Sequence, residues 1–220
     1  MKQKKNLLSL DKFIDKALYD KNLGYYMNRN PFGEKGDFIT SPKISSLFSE
    51  IIAIWIITFW KSIGSPKKFN ILELGAGNGE MMKVIISTLK NFPECFNNCK
   101  FLIHEKSTFL KKQQHKNLKL ENVIWKNDIK KLNSYPTIFL ANEFFDALPI
   151  KQFFKKNKGW VERFVNLEES DQAKFEEQFI DIKKIEKELN FEISKDQKII
   201  EYSPSSFEYL KEICSIINKN

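Results

Sequence analysis

Arginine is nearly missing from this 220-residue chain: of 36 basic residues only Arg29 and Arg163 are arginine, and the rest are lysine. The formal net charge is +8. Such a charge permits contact with nucleic acid, an anionic membrane or an acidic protein and selects none of them. Base readout and bidentate phosphate clamping draw on arginine, so the lysine excess reads as compositional drift, and no nucleic-acid partner is expected. Cysteine is scarce as well: Cys95, Cys99 and Cys214 make no disulfide scaffold. With only His104 and His115 beside them, a closed zinc site lacks a fourth ligand and a well-spaced pair. Reduced thiols and no metal are the expectation. A long apolar run is also lacking. The longest, Ile51 to Trp60, is softened by Thr58 and bounded by Glu50 and Lys61, and it falls well short of the roughly 20 residues a bilayer requires. The N-terminal Lys2, Lys4 and Lys5 meet Asp11, Lys12, Asp15 and Lys16 rather than an apolar core, which argues against a secretory signal. What remains, 42% hydrophobic and 29% charged residues, is an ordinary globular composition.

The patterning predicts an α/β fold. Ile44, Leu47, Phe48, Ile51, Ile52, Trp55 and Phe59 recur at helical spacing, with Ser41 as N-cap, Pro42 at the first helical position and Gly64 as terminator. The stretch from Gly24 to Thr40, rich in glycine, asparagine and aromatics, reads as an ordered loop. Short apolar strands at Phe69 to Leu74, Phe101 to Ile103, Val123 to Trp125 and Thr137 to Ala141 alternate with helical segments. That alternation implies crossover connections and a parallel sheet. Ile150 to Phe154 and Trp160 to Val165 flank Asn157-Lys158-Gly159 as a hairpin. Glu168 to Asp196 shows no clear period, and a last amphipathic helix carries Phe207, Leu210, Ile213, Cys214 and Ile217. Three segments follow: residues 1–64, helical and loop; 65–149, a Rossmann-like core; 150–220, hairpin and terminal helix.

Two motifs carry chemistry. The first is Glu73-Leu74-Gly75-Ala76-Gly77-Asn78-Gly79, at a strand-to-helix junction. Glycines there allow a sharp turn and let a ligand touch bare backbone, and the helix start offers unpaired amides to an anion. Glu73 can receive a ligand ammonium or brace the loop amides. Glu105, ending the next strand, can hold both ribose hydroxyls, and Asp128, after the third, is in reach of an adenine amino group. An adenosine cofactor with no need of a pyrophosphate site is the sum, which favours S-adenosylmethionine over a dinucleotide. The second motif, Asn142-Glu143-Phe144-Phe145-Asp146-Ala147-Leu148-Pro149, follows the fourth strand. Ligands bind outside the carboxyl ends of such strands, so it brings two carboxylates, an amide and two aromatics to the pocket. A helix cap with buried phenylalanines is the structural alternative.

Gly24-Tyr25-Tyr26-Met27, the run Asn30-Pro31-Phe32-Gly33 through Gly36-Asp37-Phe38-Ile39-Thr40-Ser41-Pro42, the Glu73 to Gly79 loop and Asn142 to Pro149 occur in that order. From about Phe13 to Val165 the chain resembles the MidA-type S-adenosylmethionine-dependent methyltransferases, the family of the mitochondrial complex I assembly factor that methylates protein arginine. The resemblance implies a class I methyltransferase fold with a seven-stranded sheet, a family-specific N-terminal segment and an inserted substrate-side region. It implies cofactor contacts by Glu73, Gly75, Gly77, Gly79, Glu105 and Asp128, with Asp37, Thr40 and Ser41 on a segment that closes over cofactor and substrate. Glu143 and Asp146 are the candidates to grip a guanidinium, with Asn142 as a positioning amide. A protein substrate follows, of respiratory-complex type, in a bacterial cytoplasm or a mitochondrial matrix. Two departures stand out. Ala76 occupies a place where the family often has proline, and the chain stops where family members continue, so a shortened sheet with an open edge is expected. A nucleic-acid or small-molecule N-methyltransferase, and a non-catalytic assembly factor with the same fold, are the alternatives.

Overall fold

The computed structural model describes residues 7–29, 31, 37, 45–132, 134–167 and 173–217. They fall into two compact units by contact, one of residues 19–147 and 209–220, the other of residues 1–18 and 148–208.

The first unit is built on a four-stranded parallel sheet. Its strands, in chain order β2 (Phe69–Leu74), β3 (Cys99–His104), β4 (Val123–Trp125) and β5 (Thr137–Leu140), lie in the order β4-β3-β2-β5. The chain therefore runs outward from β2 to β4 and then returns to the other side of β2, so the order reverses at β2 and opens a crevice at the strand ends. Every residue of β2 is buried, as a central strand covered on both faces requires. Phe69 and Ile71 face one cluster with Ala53, Ile56, Trp60, Met82, Ile85 and Ile86. Leu72 and Leu74 face another with Leu102, Ile129, Tyr209 and Ile213. Side chains alternate along a strand, so the two clusters lie on opposite sides of the sheet. This is the predicted α/β architecture, with helices on both faces. Among the described residues β5 pairs with β2 alone, and the sheet ends there.

After α1 (Leu10–Tyr19) and α2 (Tyr25–Asn28), helix α3 (Ser46–Ser62) begins later than its spacing suggests. Ser45 is its N-cap and accepts from the Leu47 amide at 3.1 Å, while Ser41 and Pro42 lie outside the described residues. Pro93 opens a short helix of its own, α5 (Pro93–Phe96), after α4 (Glu80–Leu89). No helix of the described residues is long and apolar enough to cross a membrane.

The second unit is an antiparallel sheet. β6 (Lys151–Lys156) and β7 (Gly159–Leu167) form the expected hairpin, with Gly159 at φ 133 closing the turn. β7 is long enough to pair with β6 along its first half and β1 (Leu7–Ser9) along its second, while β8 (Ala173–Ile180) covers its other edge. β9 (Ile199–Tyr202) extends the sheet beyond β6. The Glu168 to Asp196 stretch thus contains a strand and then helix α7 (Ile182–Leu189), capped by Asp181. Ile182, Ile185 and Leu189 of α7 pack on Phe153, Trp160 and Tyr202, which gives Phe153 and Trp160 ordinary core roles. The expected last helix, α8 (Pro204–Ile217), starts at a proline.

Candidate active site

The glycine loop leaves β2 through three left-handed residues: Gly75, Gly77 and Gly79 have φ of 65°, 55° and 83°. Side chains resist that region. At Gly75 a second constraint applies, because an added Cβ would lie 2.7 Å from Cδ2 of Phe144. The Gly75 backbone and the Phe144 ring thus meet across the crevice, which joins the loop after β2 to the segment after β5. Gly79 is the N-cap of α4 and has no side chain to offer, so the first amides of that helix depend on other groups. Asn78 Oδ1 accepts from the Glu80 amide at 3.2 Å. Glu73, wholly buried on β2, takes a hydrogen bond from the Met82 amide. It therefore braces the turn. Its Oε2 has no hydrogen-bond partner among the described residues. Burial first, and then the charge of Glu105, push its pKa up to about 8.

Glu105 follows β3 and is buried. Oε1 accepts from the Ser107 amide at 2.9 Å and Oε2 from Nε2 of Gln114 at 3.0 Å. Burial raises its pKa, against these donated hydrogen bonds. Ser107 caps α6 (Thr108–Asn117), accepting from the Leu110 amide at 3.0 Å. Asp128 follows β4, half-buried, and caps a single 3₁₀ turn by accepting from the Lys130 amide at 2.9 Å. The loop, Glu105 and Asp128 therefore stand at the carboxyl ends of three adjacent strands. Asn142 is half-buried after β5, and Glu143 and Asp146 are exposed. Glu143 has φ 48. Asp37 accepts from the Tyr25 hydroxyl; Thr40 and Ser41 lie outside the described residues.

Three contributions come from residues outside the predicted site residues. Gln114 is fully buried on α6. Its Nε2 donates to the Gly77 carbonyl at 2.9 Å as well as to Glu105, and its Oε1 accepts from Nε1 of Trp125 at 2.8 Å. One amide thus ties the glycine loop, the acid after β3 and strand β4 together. Nothing in its sequence surroundings, a run of lysines and glutamine, marks it. Tyr26 is the second. Its carbonyl accepts from the Ser107 hydroxyl at 2.5 Å, and its own hydroxyl's pKa is raised by burial and by the charges of Asp146 and Glu105. The quoted motif Gly24-Tyr25-Tyr26-Met27 was the available signal. The third is His104. Its Nδ1 faces the Lys126 carbonyl at 2.8 Å and its Nε2 the Tyr209 hydroxyl at 2.9 Å. A carbonyl only accepts, so Nδ1 carries the proton and Nε2 receives one from tyrosine. Burial lowers the His104 pKa and keeps the ring neutral. Tyr209 also stands edge-on to Phe144, ring centroids 5.0 Å apart.

Gln114→Leu is expected to lower folding stability by about 2–4 kcal/mol, because the Gly77 carbonyl, Glu105 and the Trp125 indole each lose a buried partner at about 1–3 kcal/mol apiece, partly recovered by relaxation. The shift of the urea midpoint measures it, and an unchanged midpoint would show the amide to be idle.

A parallel sheet whose strand order reverses beside a glycine loop, with acids on successive strand tips, defines a Rossmann-like methyltransferase fold. A solved structure from Burkholderia thailandensis bound to S-adenosyl-homocysteine superposes with a TM-score of 0.79, over 96% of this chain and 56% of that one, at 20% identity. A native crystal structure from the same organism gives 0.74. The family profile described as "Putative S-adenosyl-L-methionine-dependent methyltransferase" matches residues 51–220, and the chain belongs to that family. It is 31% identical over 194 residues to the human "Protein arginine methyltransferase NDUFAF7, mitochondrial", covering 76% of this chain and 44% of that protein. With the Drosophila melanogaster homolog it shares 32% over 185 residues, 73% of this chain and 42% of that one. The chain thus spans less than half the length of these curated relatives.

Proposed function

We propose that this chain binds S-adenosylmethionine over the carboxyl ends of β2, β3 and β4 and methylates a guanidinium nitrogen of a protein, of the respiratory complex I type, in a mitochondrial matrix or a bacterial cytoplasm. The observation that carries the reading is the meeting of Gly75 and Phe144, which links the glycine loop to the segment that contains Asn142, Glu143 and Asp146. The residues present fit the cofactor. The left-handed glycines leave bare backbone, and Glu105 is held fixed by the Ser107 and Lys106 amides and the Gln114 side chain, which leaves a carboxylate lone pair for a ribose hydroxyl. The names of the relatives, protein arginine methyltransferases of mitochondria, support the substrate class and the compartment.

The cofactor supplies a methyl group on a sulfonium, an electrophile needing no activation by metal. The chain's part is alignment and charge. Glu105 and Asp128 fix the adenosine end. Glu143 and Asp146 take the guanidinium through charge-assisted hydrogen bonds, favour localisation of its lone pair on the attacking nitrogen, and, being exposed, pass to solvent the proton that this nitrogen sheds on methylation. Asn142 orients it. Calorimetry with S-adenosyl-homocysteine tests the first half: micromolar binding is expected, and Glu105→Ala is expected to weaken it about tenfold or more, since hydrogen bonds to a charged group contribute about 1.5–3 kcal/mol each. No heat with millimolar ligand and a folded chain would remove the reading. Labelled methyl transfer to protein rather than to RNA or DNA tests the second half.

A further inference from the structure

Three tyrosine rings stand together where the N-terminal segment meets the tip of β3. Tyr26 of α2 is the middle one, with its ring centroid 5.6 Å from that of Tyr19 and 5.2 Å from that of Tyr25. The outer two each carry a cation of the protein over the ring. Lys106 Nζ lies 4.1 Å from the Tyr19 centroid, and the guanidinium carbon of Arg29 lies 4.2 Å from that of Tyr25. Among the described residues no cation stands over the Tyr26 ring.

The backbone holds this ring beside the acid after β3. Ser107, wholly buried, donates from its hydroxyl to the Tyr26 carbonyl at 2.5 Å and from its amide to Oε1 of Glu105 at 2.9 Å. One residue therefore fixes Tyr26 and Glu105 together. The half-buried side chain of Tyr26 lies within the field of two carboxylates: after burial, the charges of Asp146 and then Glu105 raise the pKa of its hydroxyl. An aromatic ring among carboxylates attracts a cation, through its quadrupole and through their charge. In the reading above, Glu105 receives the ribose and Asp146 the methyl acceptor. The sulfur of the cofactor is joined to the ribose and turns its methyl group to the acceptor, so its place is between the two acids. We propose that Tyr26 is a cofactor-binding residue whose ring receives the sulfonium of S-adenosylmethionine and so distinguishes it from S-adenosyl-homocysteine, whose sulfur is neutral. The proposal rests on the methyltransferase reading and adds to it the residue that reads the charge on sulfur. Methyl transfer removes that charge, and the hold of the ring goes with it, which favours exchange of product for fresh cofactor.

Calorimetry of the full chain with each ligand in turn tests this, in wild type, Tyr26→Leu and Tyr26→Phe. The two ligands differ only in the methyl group and the charge on sulfur, so the ratio of their Kd values cancels any effect of a substitution on folding or on the shared adenosine contacts. Tyr26→Leu is expected to shift that ratio toward S-adenosyl-homocysteine by about threefold to thirtyfold, the range of a cation–π contact from exposed to desolvated sites. Tyr26→Phe keeps the ring and loses only the hydroxyl, and is expected to hold the wild-type ratio within about twofold. An unchanged ratio in Tyr26→Leu, including an equal loss of both ligands, would overturn the proposal and leave the methyltransferase reading standing. A shift in Tyr26→Phe as large as that in Tyr26→Leu would also overturn it, because the hydroxyl rather than the ring would then read the charge. A folded wild-type chain that binds neither ligand would remove the reading and the proposal with it.

Discussion

Between pH 5 and pH 8 the fold is expected to lose several kcal/mol of stability, and Glu73→Gln is expected to remove most of that dependence. Glu73 lies wholly buried on the central strand, where burial, and then the charge of Glu105, push its pKa from 4.5 to about 8, against the hydrogen bond from the Met82 amide. In the unfolded chain the carboxyl ionises near its ordinary value. Between those two values the folded state holds a proton that the unfolded state has released, so raising the pH favours unfolding. The contribution is complete below the unfolded value and gone once the pH passes the folded one. The slope is at most about 1.4 kcal/mol per pH unit. Glu105, whose pKa burial also raises, acts with the same sign. His104 acts with the opposite sign: its folded pKa is lowered from 6.5, so its contribution is present above that value and is lost as the pH falls through the folded one. Comparison of wild type with Glu73→Gln cancels both. Urea midpoints at half-unit steps of pH measure the difference, and parallel curves for the two proteins would show that Glu73 does not titrate in this window.

Turnover is expected to fall by about a hundredfold or more in Glu143→Gln, with cofactor affinity changed less than about threefold, because the charge that grips the substrate is lost while the adenosine contacts stay. The backbone adds a second reading of the same position. Glu143 holds φ 48 with a full side chain, a conformation that costs a residue other than glycine about 1–2 kcal/mol. Glu143→Gly should therefore leave the urea midpoint unchanged or raise it, and still abolish turnover. Full turnover in Glu143→Gln would take this carboxylate out of the mechanism.

Much of the site could be read in the sequence because its signals are local. The strand Phe69–Leu74 is a continuous apolar run closed by glycines, and Ser107 announces the helix it caps. Gln114 could not be read in this way. Its worth lies in three partners distant along the chain, and an amide shows its hydrogen bonds only when a fold surrounds it. The same holds for β8: half of its residues are polar and most are exposed, and eight cross-strand pairings with β7 make it a strand.

By itself, then, the sequence determined the parallel α/β core, the strand-to-helix glycine turn, the acids at the strand tips and the family, since each depends on residue type and near-neighbour spacing. Only the tertiary structure decided that Phe144 closes on Gly75, that Glu73 is sealed in the sheet as a bracing carboxyl, and that β1 joins the hairpin from the far end of the chain. These are matters of which groups exclude water from which others, and that exclusion is settled by packing between segments far apart in the chain.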